Sequence, residues 1–395
     1  MLNEKMRELG ARRSVIRELF EYGKMRKGEI GEDKVFDFSL GNPSVKSPSE
    51  LTDAMLDLLE QEDPVALHGY TSADGEVKTR TAIAEYLNRK YDESITPECI
   101  YMTLGAAGAL TSALTAVVQG GEEVIVLTPY FPEYRVFIER LGAIVREVPT
   151  RCGDFSLDAA AVEEAINEKT AAIIINSPNN PTGAVYTESD IIELCEVLCR
   201  AEKKYEKPIY LISDEPYREL VYTGDEVPYI TKYYNDSIVA YSYSKSLSLP
   251  GERIGYSLIC PRMTDFAAVR QAIMGAGRAL GFVCAPSLLQ KLIARCVGMT
   301  SDFDVYKKNA DILYSALTEY GYELTRPAGA FYLFVKALEN DAVRFSERAK
   351  EHELLLVPSN DFGCEGYVRI SYCVSTEQVE RALPAFKALA ESYGK

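Results

Sequence analysis

Residues 171–213, AAIIINSPNNPTGAVYTESDIIELCEVLCRAEKKYEKPIYLIS, contain two short apolar runs that flank a helical pattern. The runs at 171–176 and 208–213 are continuous rather than alternating, which is typical of strands with helices on both faces. Between them, Thr187 and Asp190 match a capping box that opens an amphipathic helix. A strand, a helix and a strand at this spacing predict a βαβ unit with parallel strands.

The same alternation continues on both sides of this unit. Further apolar runs at 123–128 and 238–242 have the length and composition of buried strands. We therefore predict an α/β fold in three layers, in which a mostly parallel sheet has helices on both faces.

The C-terminal hundred residues follow a different pattern. A helical stripe at 305–320 precedes strand-like segments at 330–335 and 367–371, and Ser375 caps a last amphipathic stretch that Pro384 would kink. This mixture predicts a second, smaller α+β domain. The expected parts of the chain are an N-terminal arm with part of the small domain (1–44), a large domain (45–299) and a C-terminal small domain (300–395).

Charge and composition exclude several classes of function. The 43 basic and 59 acidic residues give a net charge of −16 at pH 7, which argues against a nucleic-acid partner. No apolar run approaches the ~18 residues of a membrane span. The N-terminal stretch 1–23 is typical of an amphipathic helix rather than a secretory signal. Nine cysteines without a C-x-x-C pair indicate a cytoplasmic protein, and with only two histidines we expect no metal site.

Polar side chains follow the predicted strands in the place where open α/β sheets bind ligands, beyond the carboxyl ends of the strands. They are an amide, a carboxylate, a phenol, an amine and a guanidinium: Asn180, Asp214, Tyr217, Lys245 and Arg253. We expect these groups to converge on one edge of the sheet.

This set of groups meets the requirements of pyridoxal 5'-phosphate (PLP). The cofactor needs a lysine for its Schiff base and an acidic partner for its ring nitrogen. It also needs a phosphate cradle, and the small residues Gly105, Ala106 and Ala107 would expose backbone N–H groups at the start of a helical pattern. The sequence therefore predicts a PLP site at the edge of the sheet.

The sequence resembles the class I and II aminotransferases, which are PLP-dependent enzymes of fold type I. The strongest match is SYSKSLSLPGERIG, residues 242–255, which fits the family's S-x-S-K…R-x-G signature. NNPTG, SDEPY and VRIS occur in the family's order, and the similarity extends from about residue 12 to the C-terminus. The resemblance implies the aspartate aminotransferase fold.

The resemblance also implies roles for residues around the cofactor. Lys245 would bind PLP covalently and move the proton during the reaction, and Asp214 would pair with the ring nitrogen. Tyr217 and Asn180 would hydrogen-bond the cofactor's phenolate oxygen, and Phe131 would stack on the ring. The groups that would bind the phosphate are Ser242, Ser244, Arg253 and the backbone of Gly105, Ala106 and Ala107.

The substrate site and the assembly follow from the same resemblance. Arg369, with Asn180, would hold the substrate α-carboxylate through the bidentate contact that suits a guanidinium. Gly41 would lie against the substrate. Tyr70 matches a tyrosine that reaches the partner subunit's phosphate, which implies a homodimer with shared active sites. The implied reaction moves an amino group between an L-amino acid (aspartate, aromatic or broad range) and a 2-oxo acid by a ping-pong mechanism.

One departure from the family concerns the phosphate cradle. Ala106 and Ala107 stand where the family commonly has a second glycine and a polar residue. Backbone N–H donation survives this change, but a side-chain contact with the phosphate is lost.

Two questions stay open in the sequence. A PLP-dependent C–S lyase on the same fold would share Lys245, Asp214 and Arg253, and it is the alternative function. The effector-binding domain of a transcription regulator is disfavoured by the acidic charge and by the roughly forty residues before Gly41. Substrate choice is also open, because Arg278 could read a second carboxylate, whereas the 26 tyrosines could line a pocket for aromatic or neutral side chains.

Overall fold

The computed structural model describes residues 2–11 and 14–395. The α-helices in these residues are α1 (Glu4–Ala11), α2 (Val15–Ile30), α3 (Ser49–Gln61), α4 (Pro64–His68), α5 (Val77–Tyr91), α6 (Gly105–Val117), α7 (Glu133–Glu139), α8 (Ala159–Ala165), α9 (Glu188–Tyr205), α10 (Tyr243–Ser246), α11 (Phe266–Ala279), α12 (Ser287–Cys296), α13 (Asp304–Glu319), α14 (Ala342–Lys350) and α15 (Thr376–Glu391). Short 3-10 helices lie at Glu32–Lys34, Pro97–Cys99, Ile230–Lys232, Pro250–Glu252 and Ser359–Phe362.

The strands of the described residues form one large sheet and two small ones. They are β1 (Phe36–Asp37), β2 (Ile100–Thr103), β3 (Glu123–Thr128), β4 (Ile144–Pro149), β5 (Thr170–Asn176), β6 (Tyr210–Asp214), β7 (Ser237–Ser242), β8 (Gly255–Ile259), β9 (Tyr332–Lys336), β10 (Leu354–Leu355), β11 (Val357–Pro358) and β12 (Tyr367–Ser371).

The large sheet has the strand order β2-β8-β7-β6-β5-β3-β4. Its pairs are parallel except those of β8, which runs antiparallel to both of its neighbours. The parallel pairs arise from the βαβ alternation that the sequence predicts, and the mostly parallel α/β fold is confirmed.

Both faces of this sheet are covered, as the continuous apolar strands predict. In β5 every residue is buried, and successive side chains point to opposite faces. Ile173 and Ile175 belong to one hydrophobic cluster, whereas Ala172 and Ile174 belong to another. Each cluster is formed with the helices on its own side, which gives the three layers.

Capping residues begin several helices at the predicted positions. The Thr187 side chain accepts from the Asp190 N–H, and the Asp190 carboxylate accepts from the Thr187 N–H, so the capping box of α9 is present. The N-terminal amphipathic stretch forms two helices rather than one, because Ser14 caps a new helix, α2, by accepting from the Arg17 N–H. Residues 1, 12 and 13 of that stretch lie outside the described residues.

The smaller sheets belong to an α+β region built from both ends of the chain. Strands β11, β12 and β9 are antiparallel, and β1 pairs with β10 in parallel. A third hydrophobic cluster joins Phe38 to residues of α13, β9, β12 and α15. This cluster unites the N-terminal segment with the C-terminal hundred residues, and it also includes Tyr217 and Leu220 of the range 45–299. The division at 44/45 and 299/300 stays a prediction.

Several strand boundaries differ from the predicted ones by one or two residues. The strand expected at 330–335 begins at Tyr332, because Ala330 takes a left-handed conformation with φ 55°. The strand expected at 208–213 begins at Tyr210 and extends to Asp214, which pairs with both Asn176 and Ala240. Among the described residues, every helix is too short or too polar to cross a lipid bilayer.

Candidate active site

The carboxyl ends of three adjacent parallel strands, β5, β6 and β7, form the base of the candidate site. Asp214 is the last residue of β6 and Ser242 the last residue of β7. Lys245 lies in α10, the single helical turn that follows β7. The structure therefore brings together the groups that the sequence places after separate strands.

Asp214 is buried, and its two carboxylate oxygens have different surroundings. Tyr134 Oη donates to Oδ2 at 2.5 Å, whereas Oδ1 has no hydrogen-bond partner among the described residues. Burial raises the pKa of Asp214 to about 7, although the hydrogen bond from Tyr134 opposes the rise. No pattern in the sequence singles out Tyr134, although it lies in PYFPEY, the stretch that contains Phe131.

The Lys245 amine lies between the central sheet and the Gly41 loop. Its Nζ donates to the Gly41 carbonyl at 2.6 Å and lies 5.3 Å from the centre of the Phe331 ring. Burial lowers the pKa of Lys245 to about 8, and the positive charges of Arg369 and Arg253 act in the same direction. Gly41 has no room for a side chain, because a Cβ would clash with the Tyr332 hydroxyl and approach a Phe331 ring carbon to 3.2 Å.

The residues predicted to form a phosphate cradle lie together at the start of α6. Gly105, with φ 73°, is the first residue of this 13-residue helix, whose N-cap makes no side-chain hydrogen bond. A Cβ on Gly105 would lie 3.1 Å from Arg253 Nη2 and 3.4 Å from Ser242 Oγ. Ser242 Oγ in turn lies 2.7 Å from Ser244 Oγ. Two hydroxyls and a guanidinium thus surround a helix N-terminus whose first backbone N–H groups, at Ala106 and Ala107, are available to an anion.

Arg369 reaches the site from the interior of β12, where it is only 2% exposed. Its Nη1 donates to Asn180 Oδ1 at 3.1 Å and its Nη2 to the Ser39 carbonyl at 2.6 Å. Nε has no hydrogen-bond partner among the described residues. The guanidinium also lies over the Tyr332 ring, 4.7 Å from its centre. A buried cation held by neutral groups is suited to bind a carboxylate.

Tyr217 follows β6 of the large sheet, Tyr332 lies in β9 of the three-stranded sheet, and the two side chains contact each other at the site. Tyr217 is buried, and its hydroxyl lies 2.7 Å from the Tyr332 hydroxyl. The sequence indicates only a strand for the segment that contains Tyr332. Nothing in the periodicity of a buried strand separates a site residue from a core residue, so contact with Tyr217 is what identifies Tyr332.

Three further residues are more peripheral. Phe131 is half-buried and makes an edge contact with Tyr134, with the ring centres 5.8 Å apart. Tyr70 is 98% exposed, and Arg278 is exposed in the last turn of α11. This single chain therefore does not bring Tyr70 into its own site.

The residues present fit PLP. The free, buried Asp214 Oδ1 is suited to accept a hydrogen bond from a protonated ring nitrogen. The α6 N-terminus with Ser242 and Arg253 fits a phosphate. Lys245 supplies an amine whose lowered pKa favours reaction with an aldehyde.

Comparison with known proteins agrees with this chemistry. The model of the family "aminotransferase class I and II" matches residues 33–386. The aspartate/prephenate aminotransferase of Thermus thermophilus is 31% identical over 352 residues, which cover 88% of each chain.

Solved structures share the fold over nearly the whole chain. An aminotransferase from Eubacterium rectale is 51% identical, covers 100% of both chains and superposes with a TM-score of 0.98. The aspartate aminotransferase from Thermus thermophilus with maleate is 27% identical, covers 97% of this chain and 98% of that chain, and has a TM-score of 0.86. The chain belongs to the class I and II aminotransferases and is a PLP-dependent transaminase.

Proposed function

We propose that this transaminase moves the amino group of an L-amino acid to a 2-oxo acid in two half-reactions at the site formed by Lys245, Asp214 and Arg369. The observation that carries the proposal is the position of the Lys245 amine. It is held by Gly41 at 2.6 Å, and it lies close enough to Arg369 for the guanidinium charge to lower its pKa. The amine and the guanidinium match the amino group and the carboxylate of an amino acid, and Asp214 Oδ1, which has no partner among the described residues, matches the ring nitrogen of the cofactor.

The cofactor would be held by residues from both strand ends and loops. When bound, PLP withdraws electrons from the substrate Cα. Asp214 would keep the ring nitrogen protonated, and Tyr217 and Asn180 would hydrogen-bond the phenolate oxygen. Phe131 would stack on the ring. The groups proposed for the phosphate are Ser242, Ser244, Arg253 and the backbone of Gly105, Ala106 and Ala107.

Lys245 would carry the proton. Because its pKa is about 8, a substantial fraction of the amine is neutral near physiological pH and accepts a proton from the substrate Cα. The resulting ammonium is a proton donor, and it would deliver the proton to the cofactor carbon.

Arg369 would bind the substrate α-carboxylate. Its planar guanidinium is already oriented by Asn180 Oδ1 and the Ser39 carbonyl. Orientation before binding reduces the entropic cost of the bidentate contact. The carboxylate would also supply the negative charge that a buried guanidinium requires.

We further propose a cytoplasmic homodimer that serves amino acid biosynthesis. Tyr70 is 98% exposed, which is unusual for a large aromatic side chain without a covering surface. In a dimer this tyrosine would reach the phosphate of the partner subunit, and each active site would be complete only with both chains.

For the substrate class we propose acidic, aromatic or a broad range of amino acids. The Thermus thermophilus relative is named for aspartate and prephenate, and one structural neighbour was solved with maleate, a dicarboxylate. Arg278 is exposed at the end of α11, a helix that packs against α6, and it would read a second carboxylate across the dimer. Arg278→Leu is expected to lower kcat/KM for aspartate about tenfold or more and to leave kcat/KM for a neutral amino acid unchanged. Equal aspartate turnover in the variant would end this part of the proposal.

The first experiment is a titration of the PLP-loaded protein with single amino acids in the absence of any 2-oxo acid. A good donor is expected to bleach the visible absorbance of PLP and to release one equivalent of its own 2-oxo acid. Continuous release of pyruvate and ammonia from cysteine or cystathionine would instead favour the C–S lyase alternative. No response to any donor would contradict the proposed half-reaction.

A further inference from the structure

Tyr332, the first residue of β9, contacts three groups of the candidate site. Its hydroxyl lies 2.7 Å from Tyr217 Oη, and its ring lies beneath the Arg369 guanidinium at 4.7 Å. The same hydroxyl lies against Gly41, where it leaves no room for a Cβ. Tyr332 thus lies where the three-stranded sheet β11-β12-β9, the Gly41 loop and the end of the central sheet meet.

The hydrogen bond between the two phenols has one chemically consistent direction in the proposed function. Each phenol carries a single proton. If Tyr217 donates its proton to the phenolate oxygen of the cofactor, then Tyr332 must be the donor in the bond between Tyr332 and Tyr217. Burial raises the pKa of Tyr332 to about 12, so its hydroxyl keeps the proton that this direction needs over the working pH range.

We propose that Tyr332 is a positioning residue that donates its hydroxyl proton to Tyr217 Oη and thereby directs the Tyr217 proton toward the cofactor, while its ring supports Arg369. This inference rests on the proposed role of Tyr217. Donation into Tyr217 Oη makes that hydroxyl a stronger donor, because hydrogen bonds in a chain polarise one another. It also holds the hydroxyl rotor of Tyr217 in one orientation.

The two parts of Tyr332 act on different steps, and substitutions separate them. Tyr332→Phe keeps the ring under Arg369 and removes only the hydroxyl. This variant is expected to lower kcat about fivefold with an unchanged KM for the amino acid. Tyr332→Leu removes the ring as well, and its KM is expected to rise as the cation–π contact with Arg369 is lost.

The decisive readout needs no substrate. The visible absorbance of bound PLP is titrated with pH in wild-type protein and in Tyr217→Phe, Tyr332→Phe and the double variant. Tyr217→Phe is expected to raise the pH at the midpoint of the absorbance change, because it removes a hydrogen bond that stabilises the charged phenolate of the cofactor. Tyr332→Phe is expected to raise it by part of that amount, on the order of one pH unit or less. The double variant is expected to match Tyr217→Phe alone.

A matched control is available in the same hydrophobic cluster. Tyr322 is buried and donates to the Phe386 carbonyl at 2.9 Å, but it does not contact the site. Tyr322→Phe removes one buried phenol hydrogen bond, as Tyr332→Phe does. Its absorbance midpoint and its kcat are expected to equal those of the wild-type protein.

The alternative results are distinguishable. An unchanged midpoint in Tyr332→Phe, with a raised midpoint in Tyr217→Phe, overturns the inference and leaves the role of Tyr217 intact. An unchanged midpoint in Tyr217→Phe removes both that role and the inference. Additive shifts in the double variant also overturn the inference, because Tyr332 would then act without Tyr217. Amino transfer itself is tested separately, by release of the 2-oxo acid.

Discussion

The edge of the central sheet and the strand pair β9–β12 both supply polar side chains to one site, but from different local positions. Asp214 and Lys245 stand where parallel strands end and the chain turns away. Arg369 stands inside β12, between the buried Val368 and Ile370. The first region is typical of ligand sites in open α/β sheets, whereas the second has the burial pattern of a structural core.

This difference shows how one active site can have two kinds of origin. At the sheet edge, strand order alone brings the groups together, because β5, β6 and β7 are adjacent and in register. In the small sheet, Arg369 meets Asn180 only because two separate sheets pack against each other. Substitutions in the two regions are therefore expected to differ in their effects on turnover, substrate kinetics and PLP binding.

The largest effect is expected at the sheet edge. Lys245→Ala removes the amine that is proposed to bind PLP and to move the proton, and turnover should fall by about 10⁴-fold or more. PLP should still bind noncovalently, because the residues proposed to bind its phosphate are unchanged. Turnover is measured by 2-oxo acid release and binding by equilibrium dialysis. Lys336→Ala, at an exposed residue of β9, is the control, and appreciable turnover in Lys245→Ala would break the assignment.

An intermediate effect is expected in the small sheet. Arg369→Lys keeps the positive charge but loses the planar fork, so kcat/KM should fall about 10²-fold. Steady-state kinetics with the best donor measure this loss. Arg146→Lys is a matched control, since Arg146 is also a strand arginine but is solvent-exposed and paired with Glu123. Unchanged kinetics in Arg369→Lys would show that the substrate carboxylate binds elsewhere.

The smallest effect is expected for a substitution that changes the pKa of Asp214 at the edge of the central sheet. Burial raises the pKa of Asp214 to about 7, so below that pH the carboxyl must lose a proton before it can form the proposed pair with a ring nitrogen that already carries one. PLP affinity of the cofactor-free protein should therefore rise with pH up to about 7. Tyr134→Phe removes the hydrogen bond that lowers this pKa, and the midpoint should move to higher pH.

At pH 7 the PLP affinity of the Tyr134→Phe variant should fall roughly threefold to tenfold. Fluorescence titration at several pH values measures both the affinity and the midpoint. Tyr130→Phe is the control, because the Tyr130 hydroxyl bonds Glu147 rather than Asp214. A midpoint that stays in place in Tyr134→Phe would mean that Tyr134 does not tune Asp214.

The same contrast explains which features the sequence made predictable. The strand at Glu123–Thr128 and the capping box of Thr187 depend on neighbours within a few residues, and both were predicted. The convergence of Asp214 and Lys245 was predictable because βαβ units have one handedness and parallel strands share an edge. Tyr134 and Tyr332 were not predictable, because their partners lie 80 and 115 residues away in the chain.

The sequence by itself therefore determined the α/β fold, the order along the chain of the loops that follow the strands and carry polar groups, and the set of groups that a PLP-dependent transaminase requires. Only the tertiary structure decided how these groups are held: Lys245 by the Gly41 carbonyl, Arg369 by Asn180 and Ser39, and Tyr217 by Tyr332. The physical reason is range. Periodicity and capping report interactions within a helix, a strand or a turn, whereas these hydrogen bonds form only after separate hydrophobic clusters have packed together.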